Sequence, residues 1–193
     1  MNIIVKTHEG RCYCRPDTTW EREDRDLFSP DSVNSYLYTP VLFARICKAG
    51  KCIGRKFAER YYDSIGYGIL LYDGTLMDGS AMAYAASSCR DQTSVLPFPM
   101  YNRVTLQEGS NEFTVEKDGS ELFRTSCGSQ KMIEDAVSEV SHTVSLRIGD
   151  MVAVELADPA PLAGKGELGK DREEIRITGT FCGNALFGFS IFF

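Results

Sequence analysis

The sequence is poor in the features that mark several functional classes. It has two histidines, one tryptophan and no excess of basic residues: 21 Lys and Arg stand against 27 Asp and Glu, a net charge of −6. A nucleic-acid partner is therefore not expected, because binding a phosphate backbone needs clustered positive charge. No apolar run is long enough for a bilayer. The final stretch, Phe181 to Phe193, has 13 residues broken by glycines, and a spanning helix needs about 20 apolar residues. It reads as a buried terminal strand. The opening residues are too short an apolar run for a signal peptide, so a cytoplasmic protein without a membrane partner is expected.

Other chemistry is missing as well. There is no G-x-S-x-G nucleophile elbow, no phosphate-binding P-loop and no G-x-G-x-x-G. The seven cysteines include a C-x-C at Cys12 and Cys14 but no C-x-x-C and no His pair to complete a zinc site. They read as reduced thiols, those beyond the C-x-C as core residues. Pairing of Cys12 or Cys14 with His8 is the formal nucleophile–base alternative. His142 reads as structural.

What is present is an ordinary globular composition, 43% apolar and 25% charged over 193 residues, enough to bury a core in one domain spanning 1–193. Residues 2–5 form an apolar strand. Residues 14–35, with the charge run EREDRD, read as a loop. VLFARICKAGKCIG reads as two strands around a turn at Ala49-Gly50. Phe57, Tyr61 and Ile65 at helical spacing predict a helix ended by Gly66. YGILLY follows as a buried strand, and 74–92 as a small-residue loop. Asp118-Gly119 predicts a tight hairpin turn. Met132, Ile133, Ala136, Val137 and Val140 share one face of a helix capped by Ser129. Residues 158–174 read as a loop, and IRITGT and ALFGFSIFF as closing strands. The expected class is α+β, mainly β, with two modest helices.

One ordered set of pieces is more specific. MIEDAVSEVSHTVSLRIGDMVAVEL places a helix before a turn of the L-R-x-G-D type and a strand. Together with EKDGSELFRTSCGSQKMI, RICKAGKCIGRKFAERYYDSIGYGI and LFSPDSV, in that family's order and spacing from Ile3 to Phe193, it resembles the fumarylacetoacetate hydrolase family. The resemblance implies a mixed β-roll, a homodimer, and hydrolysis, decarboxylation or isomerisation of 2-oxo acids and β-diketones. It also implies a Mg²⁺ or Mn²⁺ ion, held by oxygen ligands, that stabilises the developing enolate.

The family's positions are not filled here by the family's residues. Its E-x-E falls on Thr39 and Val41. Its aspartate falls on Leu70, or on Asp73 if the match shifts. Its two lysines fall on Ser29 and Ser88, its catalytic histidine near Cys12, and its threonine loop on ADPAPLAG. Asp91 matches, and Arg90 stands beside it. Two readings follow. In the first, metal chemistry is absent, no cofactor is expected, and the protein binds a small 2-oxo acid-like ligand or serves a structural role, alone or beside an active paralogue. In the second, a rebuilt site of Asp73, Arg90, Asp91 and Thr39 acts on a small 2-oxo acid, with Asp73 as a displaced ligand of Mg²⁺ or Mn²⁺.

Overall fold

The computed structural model describes residues 1–168 and 174–193. Fourteen strands among these residues build two sheets. The larger contains β1 (Ile3–Lys6), β2 (Cys12–Arg15), β3 (Trp20–Glu21), β5 (Ser35–Ile46), β6 (Tyr62–Asp73), β7 (Ser94–Val95), β8 (Tyr101–Asn102), β11 (Met151–Glu155) and β12 (Ala160–Gly164). The smaller contains β4 (Leu27–Phe28), β9 (Phe113–Lys117), β10 (Ser120–Thr125), β13 (Glu174–Phe181) and β14 (Asn184–Phe192). The helices α1 (Ala81–Ser87) and α2 (Gln130–Thr143) complete a mainly β fold with two α-helices, of the expected class.

The long strands β5 and β6 are the hub. They pair antiparallel from Tyr36–Asp73 to Ile46–Tyr62, and β5 also pairs with β11 and β12. Their sequences are apolar without alternation because both faces are covered. One face sends Leu42, Ala44, Ile65 and Ile69 toward Val115, Ile175, Ile177 and Phe189 of the smaller sheet and Ile133, Ala136, Val137 and Val140 of α2. The other face sends Val41, Phe43, Leu70 and Tyr72 into a second cluster with Ile3, Val5, Leu96, Met151 and Ala153. Close packing reaches the backbone at Gly68, where a Cβ would lie 2.2 Å from the carbonyl oxygen of Val95.

The apolar face of α2 is buried as its pattern predicts, and Ser129 caps it by accepting the Met132 amide at 3.3 Å. The β9–β10 turn has positive φ at both Asp118 and Gly119, as a tight Asp-Gly hairpin requires.

Several local expectations are corrected. The helix expected around Phe57–Ile65 is a 3-10 segment, Arg55–Arg60, and Ile65 belongs to β6. Pairing of Tyr62, Ser64 and Ile65 with Ile46, Arg45 and Ala44 of β5 satisfies the backbone there and overrides the 3.6-residue spacing. The strand expected after Ala49-Gly50 reduces to one bridge, Gly50–Leu146. The 74–92 stretch contains α1, capped by Ser80, whose hydroxyl accepts the Ala83 amide at 3.1 Å. The 14–35 stretch contains β3 and β4. Of the 158–174 loop, Ala160–Gly164 pairs with β5 as β12, while 169–173 lie outside the described residues. The cysteines are not core residues: Cys12 and Cys47 are half-buried and the other five are exposed.

Candidate functional site

Cross-strand neighbours project to the same face of a sheet. Thr39 lies opposite Leu70, Val41 opposite both Gly68 and Glu155, and Leu37 opposite Tyr72. Thr39, Val41 and Leu70 therefore converge on one face, together with two polar side chains that the sequence reading did not single out, Tyr72 and Glu155. Val41 and Leu70 are fully buried and supply no donor atom; the Thr39 hydroxyl donates to the Ala157 carbonyl. Hard divalent cations demand several oxygen ligands. This donor set does not fit one, and no three His, Cys, Asp or Glu side chains gather to hold a metal among the described residues.

Above this face opens a cleft of about 360 Å³. Its walls come from the β1–β2 hairpin (His8, Arg11, Tyr13), from the start of α1 (Ser80, Tyr84) and from the segment after β11 (Asp158). Glu155, the last residue of β11, forms the floor. Its Oε1 accepts hydrogen bonds from the phenols of Tyr72 and Tyr84, the latter at 2.7 Å. Its Oε2 accepts the His8 backbone amide at 3.1 Å. The Tyr13 and Tyr72 hydroxyls lie 2.7 Å apart, and the Tyr13 and Tyr84 rings meet edge to face at 5.5 Å.

Behind this network lies Arg15, fully buried on β2. Its guanidinium packs over the Tyr72 ring at 4.7 Å and donates to the carbonyls of Leu71 and Thr93 and to Ser94 Oγ. A buried cation and a buried carboxylate thus face each other through one phenol ring. Desolvation pushes the Glu155 carboxyl above its ordinary range, against the opposing pull of the Tyr72 and Tyr84 hydrogen bonds, the His8 amide and the Arg15 charge. Burial likewise raises Tyr72 well above an ordinary phenol, and raises Tyr13 and Tyr84.

The residues expected from the sequence are placed differently. Asp73 lies opposite Tyr36, so it points to the other face from Leu70. Its fully buried carboxylate accepts Arg90 Nη2 at 2.7 Å, Arg90 Nε at 3.0 Å and the Thr75 amide at 2.9 Å. Asp73 and Arg90 are thus brought together, but neither lines the cleft, and Asp91 sits exposed in the turn beyond. Ser88 donates to the Ala85 carbonyl at the end of α1, and Ser29 meets the Pro30 carbonyl and the Tyr36 hydroxyl, away from the cleft lining. Cys12 and His8 line the cleft, whereas Cys14 and His142 are exposed and outside its lining. A sequence signal for Glu155 did exist. In MVAVE it occupies the same alternate face as Met151 and Ala153, an inward position where an unpaired carboxylate is costly.

No family model and no curated protein matches the sequence. Solved structures do match the fold. Fumarylpyruvate hydrolase from Pseudomonas aeruginosa, in complex with Mn²⁺ and pyruvate, superposes with a TM-score of 0.76 at 16% identity, covering 100% of this chain and 88% of that one. A protein of Yersinia pestis CO92 assigned to the fumarylacetoacetate hydrolase family gives 0.78 at 14%, covering 98% and 91%. A 5-carboxymethyl-2-hydroxymuconate delta-isomerase from Mycobacterium smegmatis gives 0.74 at 14%, covering 99% and 78%. Near-complete superposition on hydrolases and an isomerase leads to one conclusion: this chain has the fumarylacetoacetate hydrolase fold.

Proposed function

We propose that the protein keeps this fold as a binding scaffold and has lost the metal-dependent chemistry on 2-oxo acids and β-diketones. One observation carries the reading. The three positions that match the family's metal ligands do converge on one face, but they are Thr39, Val41 and Leu70, two of them wholly apolar and buried. Without a cation or the two lysines, nothing at those positions neutralises a developing enolate. The cleft floored by Glu155 is the binding site in this reading, and residues 1–193 act as one domain in a homodimeric protein. A small 2-oxo acid, the ligand class suggested by the pyruvate of the Pseudomonas relative, is the reference ligand to test.

The alternative is an active hydrolase, decarboxylase or isomerase rebuilt around Asp73, Arg90, Asp91 and Thr39. It draws less support, because Asp73 and Arg90 satisfy each other away from the cleft. Dialysis against Mn²⁺ followed by elemental analysis, with assays on acylpyruvates and oxaloacetate, tests the proposal. The expected result is sub-stoichiometric metal and no turnover. A stoichiometric ion and turnover, both lost on Asp73→Ala, would establish the alternative. Light scattering tests the dimer: a mass near 21.5 kDa at micromolar concentration would refute it.

A further inference from the structure

The hydrogen-bond polarity of the cleft floor identifies the kind of ligand it can hold. Each phenol has one proton and a carboxylate has none. Tyr72 and Tyr84 both direct their protons to Glu155 Oε1. With the Tyr72 proton so committed, the 2.7 Å contact between Tyr13 and Tyr72 requires Tyr13 to be the donor. The His8 amide proton is spent on Oε2. Every proton of the network therefore points inward, and three donors converging on one carboxyl group fit its ionised form. What the network has left is acceptors: lone pairs on the Tyr84 oxygen, which also lies 3.2 Å from the Tyr72 oxygen, the remaining acceptor capacity of Oε2, and one lone pair on the Tyr13 oxygen, which also meets the Arg15 guanidinium.

The charges agree independently. Of the charged side chains lining the cleft, Glu9, Glu155 and Asp158 outnumber Arg11, which lies 3.7 Å from Glu9, and Glu155 meets the Arg15 charge only from behind the Tyr72 ring. The Arg15 cation is committed behind the Tyr72 ring to two carbonyls and Ser94. Apolar contact comes from Leu37, Met77 and Ala81.

We infer that the cleft binds a small protonated amine through Glu155, Tyr84, Tyr13 and Asp158, and disfavours the 2-oxo acid anions handled by relatives of this fold. The inference rests on the reading of the cleft as a metal-free binding site. An ammonium supplies donors to the acceptors that remain, and a positive charge on the cleft side of Glu155, where the Arg15 cation behind Tyr72 does not reach. A carboxylate ligand would set its oxygens against lone pairs and against Glu155, which is a repulsive arrangement.

Saturation-transfer NMR on the full chain tests this with a matched pair, n-butylamine and butyrate, and with pyruvate, each with EDTA or with Mn²⁺. Saturable binding of butylamine is expected, at least about tenfold tighter than butyrate, a discrimination of one decade in Kd. Asp158→Asn, at an exposed position, should narrow that preference severalfold. Tyr84→Phe, which removes one acceptor, should weaken butylamine alone. Glu155→Gln turns an acceptor into a donor and should abolish the preference. If that variant fails to fold, the first two decide. Absence of butylamine binding, or butyrate or pyruvate binding as tightly in EDTA, overturns the inference and leaves the loss of metal chemistry standing. Pyruvate binding that appears only with Mn²⁺ overturns both.

Discussion

The two faces of the larger sheet are built from the same strands and do different work. Toward the smaller sheet, β5, β6 and β11 present Leu42, Ala44, Ile65, Ile69 and Val152 to a close-packed apolar layer. On the opposite face, the alternate residues of those strands include Thr39, Tyr72 and Glu155, with Arg15 from β2 buried behind them. The first face is stabilised by area removed from water, which is non-directional. The second holds two opposite charges in a dry environment, where geometry decides the sign of each contribution. The contrast separates a face stabilised by burial alone from one where paired polar groups border a cleft, the face to which the proposed binding role belongs.

The largest expected effect breaks the second face. Arg15→Ala leaves Glu155 buried without its counter-charge and strands the carbonyl of Leu71, while the Thr93 carbonyl keeps only the Leu71 amide at 2.7 Å. It should cost about 3–5 kcal/mol in urea unfolding, the usual penalty for halving a buried charge network. Loss of less than about 1 kcal/mol would mean that Arg15 is not a structural cation. Arg90→Ala, outside the cleft, isolates the buried Asp73 carboxylate. The expected cost is about 1–3 kcal/mol, discounted because Arg90 is one-third exposed. Since Asp73 does not line the cleft, butylamine binding should not change.

The pH dependence sharpens the comparison further. Glu155 has a folded pKa raised above its unfolded value by desolvation. The neutral form is therefore favoured by folding, and the associated stability is present below the unfolded pKa of about 4.3. It is lost as pH rises through the raised folded value. Urea unfolding of wild type against Glu155→Gln should show this as a relative loss of wild-type stability with rising pH above about 4.3. Its slope should not exceed about 1.4 kcal/mol per pH unit. A difference that is flat or of opposite sign would show that the tyrosine hydrogen bonds and Arg15 outweigh burial. The smallest effect belongs to the apolar face. Ile133→Val, on the buried face of α2, should cost about 0.5–1.5 kcal/mol with no change in ligand preference or pH profile.

Elements legible in the sequence were those in which local chemistry and tertiary context agree. The α2 face, its Ser129 cap, the Asp118-Gly119 turn and the closing strands all lie where their patterns place them. Helical spacing at Phe57, Tyr61 and Ile65 misled because β5 offers Ile65 a strand partner, Ala44, that no local pattern records. The exposed cysteines misled because an apolar neighbour in sequence is not a neighbour in space.

By itself, the sequence determined the fold class, the order of motifs that resembles the fumarylacetoacetate hydrolase family, and that Thr39, Val41 and Leu70, the positions the resemblance points to, carry no carboxylate. These depend on residue identity and spacing along the chain. Only the tertiary structure decided that those three positions share a face, that Asp73 points away from it toward Arg90, and that Glu155 meets Tyr72 and Tyr84 beneath a cleft. The register of β5 against β6 and β11 sets those meetings, and it comes from pairing segments separated by up to about a hundred residues. A shift of one residue would turn every one of these side chains to the opposite face.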